Sequence, residues 1–171
     1  TVVMNQLQEI MGTEPQWHPS ILLMEDEVNM AKGLQMVLEE EGYGVDWAMT
    51  GQSALDKFSQ RCFDLLVADL RLPDIDGMEV IKKVKERRPE TAAIVITGYP
   101  SVSSAVESVR LGVSDYLRKP FTEDEFKGAV EGVFKRKEAT IEEILVKTEE
   151  DRLIQKEEVI RVLDRTFEDR E

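Results

Sequence analysis

Apolar residues along this chain fall into short runs that alternate with helical stripes. Ile21-Leu22-Leu23-Met24 is a run too short for a helix of its own, so it predicts a buried strand. Met30, Leu34, Val37 and Leu38 then recur at helical spacing, and Gly42 closes that helix. Residues 44–48 make a weaker strand, and Ala54, Leu55 and Phe58 mark a short second helix. Asp64-Leu65-Leu66-Val67-Ala68-Asp69 is an apolar run held between two aspartates. Met78, Ile81 and Val84 mark a third helix, stopped by Pro89. Ala92-Ala93-Ile94-Val95-Ile96 gives a fourth strand. Ser101 caps a helix carrying Val102, Ala105, Val106 and Val109, which ends at Gly112. Residues 113–117 form the last strand. Thr122 and Glu125 have capping-box spacing ahead of Phe126, Ala129, Val130 and Val133.

Five strands thus alternate with five helices. Strands apolar on both sides and joined by helices predict an α/β fold, with a doubly wound parallel sheet covered on both faces. The crossovers should be right-handed. Working residues in such sheets collect beyond the carboxyl ends of the strands, near the switch point in strand order. The flanks read differently. Residues 1–19 form an arm, with a short helix over 2–11 broken by Gly12, Pro15 and Pro19. No Gly follows Gly132 and no Pro follows Pro120, so residues 137–171 form a helical, coiled-coil-like extension of the domain spanning residues 20–136. Leu153, Ile160 and Phe167 recur at heptad spacing, Ile141, Ile144 and Leu145 make a second patch, and Glu149-Glu150-Asp151 marks a permitted break. Such a stripe needs a cover: the domain itself, a second copy or a partner.

Composition narrows the function. In 171 residues there are 22 Lys+Arg against 35 Asp+Glu, a net charge of −13. That balance disfavours a nucleic-acid surface or an anionic membrane as partner. No apolar run approaches the roughly 20 residues that span a bilayer. Cys62 is alone, so neither an internal disulfide nor a zinc site is available, and a reducing cytoplasmic compartment is the natural setting. Cys62 itself reads as a small residue packed ahead of the third strand. His18 is the only histidine and sits in the arm, where it reads as solvated. Carboxylates are what remains for chemistry.

The first strand ends in Glu25-Asp26-Glu27 and the third in Asp69, which brings Glu25, Asp26 and Asp69 into one crevice. Like charges that close raise each other's pKa unless a cation neutralises them. A hard-oxygen cluster open to water suits Mg²⁺. The fourth strand adds the hydroxyl of Thr97, and the fifth runs into Lys119-Pro120. Acids, a divalent cation, a hydroxyl and an ammonium together suit a phosphoryl group. The run Asp74-Ile75-Asp76-Gly77 lacks the remaining spacing of a calcium loop and reads as the turn that starts the third helix.

Four ordered motifs, ILLMEDE at 21–27, DLLVADLRLPDIDG at 64–77, IVITG at 94–98 and GVSDYLRKPF at 112–121, resemble the receiver domain of the two-component response regulators. The resemblance covers residues 20–136 and implies a flavodoxin-like sheet of order 2-1-3-4-5. It implies that Asp69 is the phosphoacceptor, charged by a sensor histidine kinase or phosphotransfer protein. Mg²⁺ would lie among Glu25, Asp26, Asp69 and the backbone carbonyl of Arg71. Lys119 would pair with the phosphoryl oxygens and precede a cis proline. Thr97 would swing toward the phosphoryl group, with Tyr116 as the aromatic that follows it. Output would run through the face of the fourth helix, fifth strand and fifth helix, or through the C-terminal helix, either of which could support a homodimer. The family's acid pair is most often Asp-Asp; Glu25 departs from it, and its longer side chain permits direct or water-mediated ligation.

Two other classes compete. A phosphatase with an aspartyl-phosphate intermediate, of the haloacid dehalogenase type, needs an acid two residues after the nucleophile, where this chain has Arg71. A structural adaptor that no longer accepts phosphate is opposed by the intact Asp69, Thr97 and Lys119 set. The module is therefore expected to signal rather than turn over substrate. The start without Met and the stop at Asp169-Arg170-Glu171 lead us to expect a piece of a longer regulator.

Overall fold

The structure, a computed structural model, describes residues 18–168. The helix expected over residues 2–11, and the arm up to residue 17, lie outside the described residues. The elements are β1 (Ser20–Met24), α1 (Val28–Glu40), β2 (Gly44–Ala48), α2 (Gly51–Gln60), β3 (Leu65–Asp69), α3 (Gly77–Arg87), β4 (Ala92–Thr97), α4 (Val102–Arg110), β5 (Asp115–Arg118) and α5 (Glu123–Glu168). The strands form one parallel sheet of order β2-β1-β3-β4-β5. This is the doubly wound arrangement that the alternation and the resemblance imply. β1 lies between β2 and β3, so the order reverses at β1 and β3, and a crevice opens beyond their carboxyl ends.

Residues opposite each other in a parallel sheet share a face. Leu22, Met24, Leu66, Ala68, Ala93 and Val95 pack in one cluster with Ala54, Leu55 and Phe58 of α2 and Val80, Ile81 and Val84 of α3. Ile21, Leu23, Leu65, Val67, Ile94 and Ile96, which alternate with them, are fully buried on the opposite face. Ala31, Leu34 and Leu38 form the buried stripe of α1, and Lys127 at the start of α5 bridges Glu41 at the end of α1. Helix ends are closed by local chemistry. Thr50 caps α2 by accepting the Ser53 N–H, and Asp76 caps α3 by accepting the Met78 N–H. Gly42 and Gly112, at φ 89° and 70°, take the left-handed turn after α1 and α4.

Three expectations are corrected, and the expected α4 stripe faces solvent. Val102, Val106 and Val109 do form one stripe of α4, but it faces outward: Val102 and Val109 are 82% and 80% exposed, and the buried residue of this helix is Ser108. Spacing identifies an apolar stripe without saying whether anything covers it. The last strand starts at Asp115 rather than at residue 113, because the Val113 N–H still closes onto the Ser108 carbonyl. Cys62 is exposed rather than packed. Finally, α5 runs through Glu149-Glu150-Asp151 without a break. Charged residues are good helix formers, and neither Gly nor Pro interrupts this stretch.

The described residues fall into two units that part within α5, after Ala129. In the second unit Val130, Val133 and Phe134 are buried, whereas Leu145, Val146 and Leu153 are exposed. Ile141, Ile144, Ile160 and Phe167, four residues of the expected apolar patches, have side chains outside those described. Among the described residues no helix is long and apolar enough to cross a membrane.

Candidate functional site

The crevice at the switch point is built from strand ends. β1 delivers Glu25 and Asp26, β3 ends on Asp69, β4 ends on Thr97, and the chain leaves β5 into Lys119. Carboxylate oxygens of Glu25, Asp26 and Asp69 lie within 4.8 Å of one another. Glu25 is fully buried, Asp69 is 5% exposed, and Asp26 is exposed. One rim of the site is therefore open to solvent, and the other is dry.

Lys119 holds the two buried carboxylates. Its Nζ donates to Glu25 Oε2 at 2.8 Å and to Asp69 Oδ2 at 2.9 Å. The Lys119–Pro120 peptide is cis, as the resemblance implies, and the Lys119 N–H donates to the Thr97 carbonyl at 2.8 Å. The remaining oxygens accept backbone donors: Glu25 Oε1 from the Glu27 N–H at 3.1 Å, and Asp69 Oδ1 from the Arg71 N–H at 3.0 Å. Trp47 Nε1 donates to the Glu25 carbonyl at 2.8 Å, fastening the acidic turn to β2.

Burial pushes the Glu25 carboxyl up to about 6; the Lys119 hydrogen bond opposes this and the Asp69 charge adds to it. Burial alone would lower the Lys119 ammonium, but its hydrogen bonds to Glu25 and Asp69 outweigh it and hold it above its ordinary value. The Glu25 shift has a definite sign for stability. Because the folded pKa of this acid lies above its unfolded value of 4.5, the folded state binds more proton between those limits. Glu25 therefore makes its full favourable contribution below about pH 4.5 and loses it as pH rises through about 6. The loss is roughly 2 kcal/mol. Urea unfolding without divalent cation should show this term as a difference in pH slope between wild type and Glu25→Gln, and equal slopes would refute it.

The donor set tests well against a hard divalent cation. All the side-chain donors are carboxylate oxygens, two are forced together out of water, and Asp26 keeps an open side. The Arg71 peptide lies at the same rim, tied to Asp69 through its N–H.

Thr97 and Tyr116 lie on one face of neighbouring strands. Val95 is opposite Tyr116 and Thr97 opposite Arg118, so the two side chains are one pleat repeat apart. Thr97 is fully buried and its Oγ1 accepts the Tyr99 N–H at 3.0 Å. A cleft of about 500 Å³ lined by Arg71, Thr97, Tyr99, Ser101 and Ser104 opens beside it.

The site residues expected from sequence thus lie at this end of the sheet: Lys119 bonds Glu25 and Asp69, and an Asp26 oxygen lies within 4.8 Å of theirs. Four sets of contacts escaped sequence reasoning. Asp74 accepts the Gly51 and Gln52 N–H groups at 2.8 and 2.9 Å, pinning the loop after β3 to the start of α2. The Arg71 guanidinium lies 3.4 Å from the Tyr99 ring centroid, joining the loops after β3 and β4. Trp47 and Ser104 complete the set. Nothing in their local spacing marks them, because each contact joins distant segments. His18 is exposed, near the Gly42 carbonyl and away from these residues.

Comparison with known proteins agrees with the fold. Residues 21–131 match the response regulator receiver domain family. The transcriptional regulatory protein TrcR of Mycobacterium tuberculosis is 34% identical over 135 residues, covering 75% of this chain and 52% of its own length. The response regulator ArlR of Staphylococcus aureus is 35% identical over 116 residues, covering 68% and 52%. The chain thus spans about half the length of these relatives. A CheY-like receiver domain from Methanospirillum hungatei superposes with a TM-score of 0.67 at 30% identity, covering 72% of this chain and 99% of that one. The family match over residues 21–131, on a sheet of order 2-1-3-4-5 with an acidic crevice at its switch point, shows that the chain belongs to the response regulators of two-component signalling and carries their receiver domain.

Proposed function

We propose that Asp69 accepts a phosphoryl group from the phosphohistidine of a sensor histidine kinase or phosphotransfer protein. The Asp69 oxygen attacks phosphorus, and the histidine nitrogen departs with the bonding electron pair. The observation that carries this reading is the Lys119 bridge to Asp69 and Glu25, at 2.9 and 2.8 Å, beside the exposed Asp26. Lys119 holds a positive charge where phosphoryl oxygens would arrive, and the dry wall around Glu25 strengthens its attraction.

Asp26, Asp69 and the Arg71 carbonyl would hold Mg²⁺, with Glu25 ligating directly or through water. When bound, the ion offsets negative charge on the phosphoryl oxygens. Thr97 would give up the Tyr99 N–H to reach the phosphoryl group, and Tyr116 would turn after it. The outward valines of α4 support a responsive surface on α4, β5 and the start of α5, where it would meet a second copy or an output partner. The helix beyond residue 136 is a second candidate for self-association. The net charge of −13 argues against nucleic acid or an anionic membrane as partner, and we place the protein in the cytoplasm.

Incubation with Mg²⁺ and a small phosphodonor tests the reading by intact mass. One acid-labile phosphoryl group should appear with Mg²⁺ and none with EDTA. Phosphorylation that survives EDTA would remove the metal from the account. Light scattering before and after phosphorylation tests self-association; unchanged monomer mass in both states would exclude it.

A further inference from the structure

Tyr116 is held by more than the space around it. Its hydroxyl lies 2.7 Å from Ser104 Oγ, on the first turn of α4. Ser104 is also the inner half of that helix's capping box. Its N–H donates to Ser101 Oγ at 3.0 Å, and its own Oγ accepts the Ser101 N–H at 3.3 Å. The Ser104 hydroxyl carries one proton, and the Ser101 carbonyl stands 3.1 Å away to take it. The Ser104 lone pairs face the Ser101 N–H and the Ser101 hydroxyl, the latter at 2.9 Å, and either hydroxyl can donate in the Ser104–Tyr116 bond. Ser108 Oγ in turn donates to the Ser104 carbonyl at 2.7 Å, so the turn that presents Ser104 is itself braced.

This network bears on the switch, because a tyrosine bonded to α4 cannot turn without breaking that bond. We propose that Ser104 is a positioning residue that latches Tyr116 in the conformation seen here and so sets how strongly phosphorylation must pull to throw the switch. The inference rests on the Thr97–Tyr116 reading above and adds to it a third member on a different element. Linkage fixes the sign. A ligand that favours the turned conformation must work against the latch, so removing the latch raises the affinity for that ligand by the same factor. One net hydrogen bond corresponds to about fivefold. The latch also ties the switch to α4, since the hydroxyl freed by Tyr116 belongs to that helix's cap.

Beryllofluoride with Mg²⁺, a phosphoryl mimic, provides the probe, and Trp47, bonded to the Glu25 carbonyl, provides the fluorescence signal. Wild type, Ser104→Ala, Ser104→Thr, Tyr116→Phe and the Ser104→Ala/Tyr116→Phe double variant are titrated. Ser104→Ala should bind about fivefold more tightly than wild type, and Ser104→Thr, which keeps the hydroxyl, should return to the wild-type value. In the Tyr116→Phe background Ser104→Ala should change nothing, because the bond is already gone. An equal change in both backgrounds would mean that Ser104 acts only as a helix cap and would overturn the latch. Unchanged or weaker binding by Ser104→Ala would overturn it as well. Should Ser104→Ala fail to fold, Tyr116→Phe alone removes the same bond with the cap intact; it should also bind about fivefold more tightly, and wild-type affinity there would overturn the proposal. Wild type that ignores beryllofluoride altogether would overturn the underlying switch reading, a result distinct from failure of the latch.

Discussion

Lys119→Ala should lower the rate of phosphoryl transfer to Asp69 by about a hundredfold while leaving the chain folded. That factor is typical for removing one preorganised charge donor from a reacting oxygen. The ammonium touches both Glu25 and Asp69, so its loss leaves two carboxylates facing each other across a dry wall. Such a pair relieves itself by holding a proton, which drives the Glu25 carboxyl above its present value of about 6. Mg²⁺ should still bind, because removing a positive charge does not weaken a cation site. The variant should therefore separate metal affinity, which is kept or raised, from transfer rate, which falls. Titration of Trp47 fluorescence with Mg²⁺ and timed intact-mass measurements give the two quantities. A parallel loss of both would mean that Lys119 shapes the metal site rather than the transfer.

Gly77→Ala should destabilise the receiver by about 3 kcal/mol or more, an effect of the overpacking kind at its upper end. A Cβ at this position would stand 2.2 Å from the Asp69 carbonyl oxygen and 2.7 Å from Leu70 Cα. Both are backbone atoms, so no side chain can rotate away. The Gly77 N–H also donates to the Leu70 carbonyl at 3.0 Å, holding the start of α3 against the end of β3. Relief requires α3 to back off, and the peptide that carries Asp69 then moves with it. The urea midpoint should fall sharply, and phosphorylation by a small donor should slow even where the variant stays folded. A wild-type midpoint would show that the loop after β3 can absorb the methyl group.

The sheet was legible because its central strands are apolar on both sides. Ile21–Met24, Leu65–Ala68 and Ala92–Ile96 leave little choice but burial between two layers of helix. The crevice was legible for a related reason: Glu25, Asp69, Thr97 and Lys119 each stand at a strand end, and strand order brings those ends together. What escaped was decided by contacts across the fold. Asp74 looks like part of its own turn, yet it caps a helix that begins 23 residues earlier. Arg71 and Tyr99 meet only because the loops after β3 and β4 converge. The exposure of the α4 stripe was not legible either, since Val102, Val106 and Val109 have the spacing of a core face, yet Val102 and Val109 stand mostly in solvent.

The central claim is that the phosphoryl group is carried by Asp69. Intact masses of wild type and Asp69→Asn, treated side by side with Mg²⁺ and a small phosphodonor, test it most directly. The account predicts one acid-labile phosphoryl group on wild type and none on the variant, which keeps the shape of the side chain without its nucleophilic charge. An Asp69→Asn chain that still gains the group, or a wild type that does not, would contradict it.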